Sequence, residues 1–174
     1  ATTEIYTLSL PDALPIYFSI GTINEKAWRT MEPGTPRPEA RLEAMQYLVE
    51  NGVSAGVNMA PLLPGISDDE ANMQAVAEAA FNHKAQYLSA NVLNLKPGAK
   101  EWFFPLLKES YPHLIPRYNR LFVNNNTYAP QQYTKSVMET FDRVRRQWNL
   151  RERAKVQENM APKGQLQMQF AFAA

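Results

Sequence analysis

The sequence predicts an α/β fold, the C-terminal part of a partial (β/α) TIM-like barrel followed by C-terminal helices. Three apolar runs, at 17–20, 53–61 and 85–95, each give way within a few residues to a segment with helical, three-to-four apolar spacing. Glycine or Pro-Gly punctuates the end of each run, at Gly21, Pro64-Gly65 and Pro97-Gly98. Strands that alternate with helices pair in parallel, and right-handed crossovers curl such a sheet toward a barrel. The functional rim of that architecture lies at the C-terminal ends of the strands.

The elements follow in order. Residues 17–20 make a short buried strand stopped by Gly21. Thr22 or Asn24 is placed to cap a helix over 25–31, and the Pro-Gly-rich segment 32–36 breaks it. Pro36 and Pro38 open the next helix, whose face is Leu42, Met45, Leu48 and Val49, and Asn51-Gly52 ends it near Glu50. After the strand at 53–61, Ser67 with Glu70 three residues later has the capping-box spacing, and a helix runs to about Asn82. Beyond the strand at 85–95 the pattern is helical. Trp102, Phe103, Leu106 and Leu107 form one apolar face, a second helix covers 114–122, and a long basic helix covers 131–149.

At 174 residues the chain is long enough for one domain with a sizeable core. Its formal charge of +1 gives no general electrostatic attraction to nucleic acid or membrane. Cysteine is absent, which excludes disulfides, thiolate metal sites and a cysteine nucleophile within these residues. No run of about 18 apolar residues suggests a membrane span, and no signal-peptide pattern opens the chain, so a cytoplasmic protein without a membrane partner is expected.

Residues 1–16, ATTEIYTLSLPDALPI, have two readings. TLSLPDALPI resembles translated read-through of a sequencing adapter, and the strand–helix pattern begins cleanly after it. The other reading is a genuine strand and turn, with Pro11-Asp12 as the turn. The adapter reading is preferred, and on it the true upstream sequence is missing. The organisation is then a leader at 1–16, a partial barrel at 17–112, a helical extension at 113–160 and a tail at 161–174.

The segment 60–68, APLLPGISD, carries the most chemical information. Pro64-Gly65 turns the chain sharply and lets backbone approach a ligand, and the helix N-terminus just after it can face a polar or anionic group. An ordinary capped βα turn would look the same. Glu32 either bonds a cofactor amine or an arginine, Arg41 being a possible partner, or caps the helix that starts near Pro36. His83 and His113 are not in metal-ligand spacing and read as surface or helix-end residues. Arg143, Arg145, Arg146, Arg151, Arg153 and Lys155, with Trp148 and Tyr133 nearby, form either a nucleic-acid-tracking face or a solvated helix face, the latter preferred. Residues 165–170, QLQMQF, loosely resemble peptides that dock on the bacterial sliding clamp; a disordered tail is the preferred reading.

The stretch VNMAPLLPGISDDE at 57–70 resembles the strand–turn–helix of radical S-adenosylmethionine enzymes in the spore-photoproduct-lyase-like, or DNA repair photolyase, group. SIGTINE at 19–25, MEPGTP at 31–36, RLEA at 41–44, LNLKPG at 93–98 and YAPQQY at 128–133 resemble other blocks of the same family. Their order and spacing over about 17–148 are more specific than any one block. The resemblance implies a partial β/α barrel whose [4Fe–4S] cluster, held by a C-x3-C-x2-C loop near the first strand, reductively cleaves S-adenosylmethionine to a 5′-deoxyadenosyl radical. Thiolates are the required ligands. This chain has none, so the resemblance implies a C-terminal fragment, inactive and binding neither cluster nor cofactor stably on its own. Asn58, Ala60, Pro61, Pro64 and Gly65 then become candidates for the cofactor wall, Ser19 and Thr22 candidates for bonds to its polar groups, and Asn91 and Asn94 candidates for the lumen. Backbone-satisfied strand-end residues are the plainer account of each asparagine. The substrate is open, nucleic acid among the options, and the fragment is expected to associate through its exposed barrel edge. The alternative from a different class is a cluster-free module that binds nucleic acid or protein through the basic helix.

Overall fold

The structure is a computed structural model that describes residues 15–123 and 126–152. Most of the leader, Arg153, Lys155 and the tail at 161–174 lie outside the described residues. In chain order the elements are β1 (Ile16–Ser19), α1 (Glu25–Met31), α2 (Pro38–Glu50), β2 (Ala55–Leu62), α3 (Glu70–Asn82), β3 (Leu88–Val92), α4 (Ala99–Ser110), a 3-10 turn (Pro112–Leu114), α5 (Ile115–Leu121) and α6 (Gln131–Gln147).

The three strands form one parallel sheet in sequence order, β1-β2-β3. The fold class is therefore mixed α/β with strand–helix alternation, and the described strands form an open sheet. β1 starts at Ile16, one residue earlier than the apolar run suggests, because the Ile16 amide donates to the Ser54 carbonyl at 2.9 Å. β3 is shorter than the run at 85–95. The Leu93 amide still donates to the Leu62 carbonyl of β2 at 3.1 Å, but the chain then leaves β2 and the Leu95 amide donates instead to the Thr127 carbonyl at 2.8 Å.

Alternation along β2 sorts its two faces. Ala55, Val57 and Met59 are completely buried and share the core with Leu88 of β3, Leu42 and Met45 of α2, and Met73, Val76, Ala77 and Ala80 of α3. α6 packs on α3 and β3 and adds Val137, Phe141 and Val144. With sequential strand order and right-handed crossovers, the helices that follow β1 and β2 lie on the same side of the sheet. A satellite cluster sits around Tyr118 of α5, whose ring packs within 5.4 Å of Phe103 and 6.0 Å of Phe122, centroid to centroid.

Caps settle two ambiguities. Asn24 caps α1, accepting from the Ala27 amide at 2.9 Å, while Thr22 accepts from the Asn24 amide at 3.0 Å and sets the cap's angle. At α3 the cap is Asp69, which accepts from the Asn72 amide at 2.8 Å, and not Ser67. The turn after β2 coils back so that the Ile66 and Ser67 amides both bond the Leu63 carbonyl. That places Ser67 inside the turn, 1% exposed, with its Oγ taking the Leu63 amide at 2.9 Å. In α4, Phe103 and Leu107 face the core as expected, but Trp102 is 60% exposed.

Candidate functional site

The C-terminal ends of the strands and the loops that leave them form two connected regions. One is the sheet face that the helices leave open. In register, Ser19 of β1, Asn58 of β2 and Ser89 of β3 stand side by side across that face. Asn58 Oδ1 accepts from Ser89 Oγ at 3.1 Å and from Asn91 Nδ2 at 3.4 Å. Asn58 Nδ2 and Ser19 Oγ have no partner among the described residues, and both side chains are at least partly exposed. Two adjacent strands thus hold a free amide donor and a free hydroxyl beside one another, on a sheet type usually covered on both faces.

The second region is a cavity of about 160 Å3 just beyond the strand ends. Its apolar walls include Met31, Leu63, Leu93, Trp102 and Phe103, and its polar groups are Thr22, Glu32 and Ser67. Three anchors build it. Arg41 of α2 places Nη1 2.5 Å from the Ser19 carbonyl and 2.9 Å from Glu32 Oε2, so the pair considered in the sequence is formed. Arg41 Nε and Nη2 are buried without a hydrogen-bond partner among the described residues. Asn72 Nδ2 donates to the carbonyls of Gly21 and Ser67, both at 2.9 Å, and so ties the loop after β1 to the loop after β2. A Cβ at Gly21 would stand 3.0 Å from the Pro61 carbonyl oxygen, so the loop passes the β2 end at a distance suited to glycine.

The sequence-nominated residues divide between these regions. Ser19, Asn58 and Ala60 belong to the open face, by strand parity. Thr22 and Pro61 line the cavity, and the Ala60–Pro61 peptide is cis. Pro64 is buried and Gly65 packs against the 3-10 turn and α5: a Cβ there would be 2.8 Å from Leu114 Cδ2 and 3.5 Å from Arg117 Nη1, and its φ is +78°. Gly65 therefore lies against the C-terminal helices, outside the cavity lining. Asn91 lies on the open face, but Asn94 has the opposite parity. It pairs in an antiparallel bridge with Tyr128, because the chain has already left the sheet.

Asp68 was not singled out in the sequence. Its side chain is 7% exposed and accepts from Arg117 at 2.7 Å, from Tyr133 Oη at 2.6 Å and from the Gly65 amide at 2.5 Å. This clamp fixes the βα turn to α5 and α6. Burial first, then the bond to Asp68, pushes the Tyr133 hydroxyl well above the ordinary tyrosine range. Burial does the same to Tyr118.

The basic helix does not present a combined charged and aromatic face. Arg143 pairs with Glu70 at 2.8 Å, and Arg145 is turned inward to Asp142 at 3.0 Å and to the Leu150 carbonyl at 3.3 Å. Trp148 donates to Gln74 at 2.8 Å with its ring against Phe81, and Tyr133 is held by Asp68. Arg146 and Arg151 are exposed. His83 ends α3 with Nδ1 2.7 Å from the Ala79 carbonyl, and His113 sits in the 3-10 turn, as helix-end residues do. Among the described residues no cluster of His, Asp and Glu could hold a metal ion, and no helix is long and apolar enough to cross a membrane.

No family model matches the chain. It is similar to uncharacterized proteins of Mycobacterium bovis and Mycobacterium tuberculosis, 25% identical over 130 residues, which is 75% of this chain and 37% of theirs. An uncharacterized protein of Acidianus two-tailed virus is 40% identical over 53 residues, 30% of this chain and 18% of that protein. The chain thus spans little more than a third of the length of the curated mycobacterial relatives it matches. No solved structure matches.

Proposed function

We propose that the chain is the C-terminal part of a radical S-adenosylmethionine enzyme, lyase-like, in which the open sheet face forms one wall of the cofactor site. The observation that carries this reading is the polar row Ser19, Asn58, Ser89 and Asn91 on a parallel sheet whose other face is packed by helices. A parallel sheet with one polar, solvent-facing side is what a segment of barrel wall presents to its lumen. The much greater length of the mycobacterial relatives fits a chain that contributes some of the strands only.

The residues here do not fit an iron–sulfur cluster, since the chain contains no cysteine. On this proposal the cluster belongs to sequence outside the chain and no chemical step is assigned to these residues. Their role is binding: Ser19 Oγ and Asn58 Nδ2 offer a hydroxyl and a donor to polar groups of a ligand, and Ala60 leaves room beside them. Thr22 and Pro61 bound the rim.

The test is to read the source DNA upstream of the Tyr17 codon and express the whole frame anaerobically. A C-x3-C-x2-C loop, bound iron and sulfide, and reductive cleavage of S-adenosylmethionine are expected, with cofactor affinity weakened about tenfold by Asn58→Ala. An upstream frame without such a loop would remove the radical chemistry and leave a barrel-derived binding module.

A further inference from the structure

The cavity at the strand ends has a property that a packing defect would not need. A carboxylate in apolar surroundings is costly unless its oxygens are bonded. Glu32 Oε2 is satisfied by Arg41, yet Oε1 has no partner among the described residues and lies 4.0 Å from where a Gly21 Cβ would be. Glu32 lines the cavity with its side chain 25% exposed and is held by Arg41 through one oxygen. The hydroxyls of Thr22 and Ser67 both accept backbone amides, at 3.0 and 2.9 Å, which leaves each O–H proton without a partner among the described residues. Everything else in the lining is apolar or backbone-like, with Trp102 and Phe103 on one side and Met31, Leu63 and Leu93 on the others.

We propose that this cavity is a binding site for a small neutral ring bearing an O–H or N–H donor. Size sets the first limit. At about 160 Å3 it matches cavities of about 150 Å3 that take up benzene in other proteins. Charge sets the second. Glu32 and Arg41 form a pair that is neutral as a unit, and the buried Arg41 Nε and Nη2 disfavour a further cation beside it. The ligand donates to Glu32 Oε1, accepts from the Thr22 or Ser67 hydroxyl, and stacks its ring among Met31, Trp102 and Phe103. The cavity shares Thr22 and Pro61 with the rim of the proposed cofactor wall, and ring binding there needs no cluster or cofactor.

The experiment titrates the full chain, carrying 13C-labelled methionine methyl groups, with phenol and separately with toluene. Saturable shifts of the Met31 methyl are expected with both, phenol binding about tenfold more tightly than toluene because of its donor. Glu32→Gln is expected to remove most of that difference while leaving toluene unchanged. Ala27→Leu, which fills the cavity from α1, abolishes both without touching Glu32. Should Glu32→Gln unfold the chain, the phenol-to-toluene ratio of the unaltered protein and the Ala27→Leu result still decide. Equal affinities, the absence of saturable shifts at Met31, or binding that survives Ala27→Leu in a folded protein would each overturn the proposal.

Discussion

At the scale of single residues, the run Ser67-Asp68-Asp69-Glu70 shows how near neighbours take unrelated tasks. Each carries a side-chain oxygen at or just before the start of α3, and local spacing favours Ser67 as cap. The assignment is made from far away in sequence. Arg117 and Tyr133, 49 and 65 residues later, claim Asp68, and the coiled turn claims Ser67. Asp69 is left to cap the helix. Asp68→Asn is expected to cost about 2 kcal/mol in urea unfolding, since Arg117 loses its charge partner and the Tyr133 donor keeps a weaker acceptor. Asp69→Asn, which retains a capping oxygen, is expected to cost well under that. The tyrosines give a pH prediction. Tyr118 and Tyr133 hold their protons in the folded state above the ordinary tyrosine pKa of about 10, while the unfolded chain does not. Their stabilising effect is therefore fully present below about pH 10 and is lost as pH rises toward their folded-state values. Phenolate absorbance during an alkaline titration should show both ionising only together with unfolding.

At the scale of elements, the strands and helices were legible because their apolar periods are clean. Ends were less so. The polar row across the open face could not be read from the chain alone, because it depends on register: Ser19, Asn58 and Ser89 are 39 and 31 residues apart and become neighbours only through pairing. Asn94 was misplaced for a related reason, since no local signal says that the chain leaves the sheet after Leu93 to meet Tyr128. The Glu32–Arg41 pair, by contrast, was visible as two charged residues flanking a Pro-rich break. The fit between β2 and β3 yields a sharp test. A Cβ on Gly56 would stand 2.5 Å from the Tyr87 carbonyl oxygen, a backbone atom that cannot move without parting the strands. Gly56→Ala is expected to cost about 3 kcal/mol, with the loss appearing in the urea midpoint and in amide-exchange protection of β3.

At the scale of the whole molecule, the sheet's two edges differ. The outer side of β3 is covered at both ends by its own chain, where Leu88 bonds the Arg151 carbonyl at 3.0 Å and Leu95 bonds that of Thr127 at 2.8 Å. β1 is the other edge strand of the described sheet, and its first residue, Ile16, is 42% exposed. Concentration-dependent association is expected in sedimentation velocity. Ile16→Lys should reduce it severalfold while moving the unfolding midpoint little, because a charged side chain blunts an open edge and this position buries little area. The same asymmetry gives the sheet a direction of growth. Among the described strands β1 stands at one edge, so a strand added beside it would extend the sheet. If the proposed function holds, a separately produced polypeptide supplying the neighbouring strand should complement the chain in trans and replace self-association by a defined one-to-one complex.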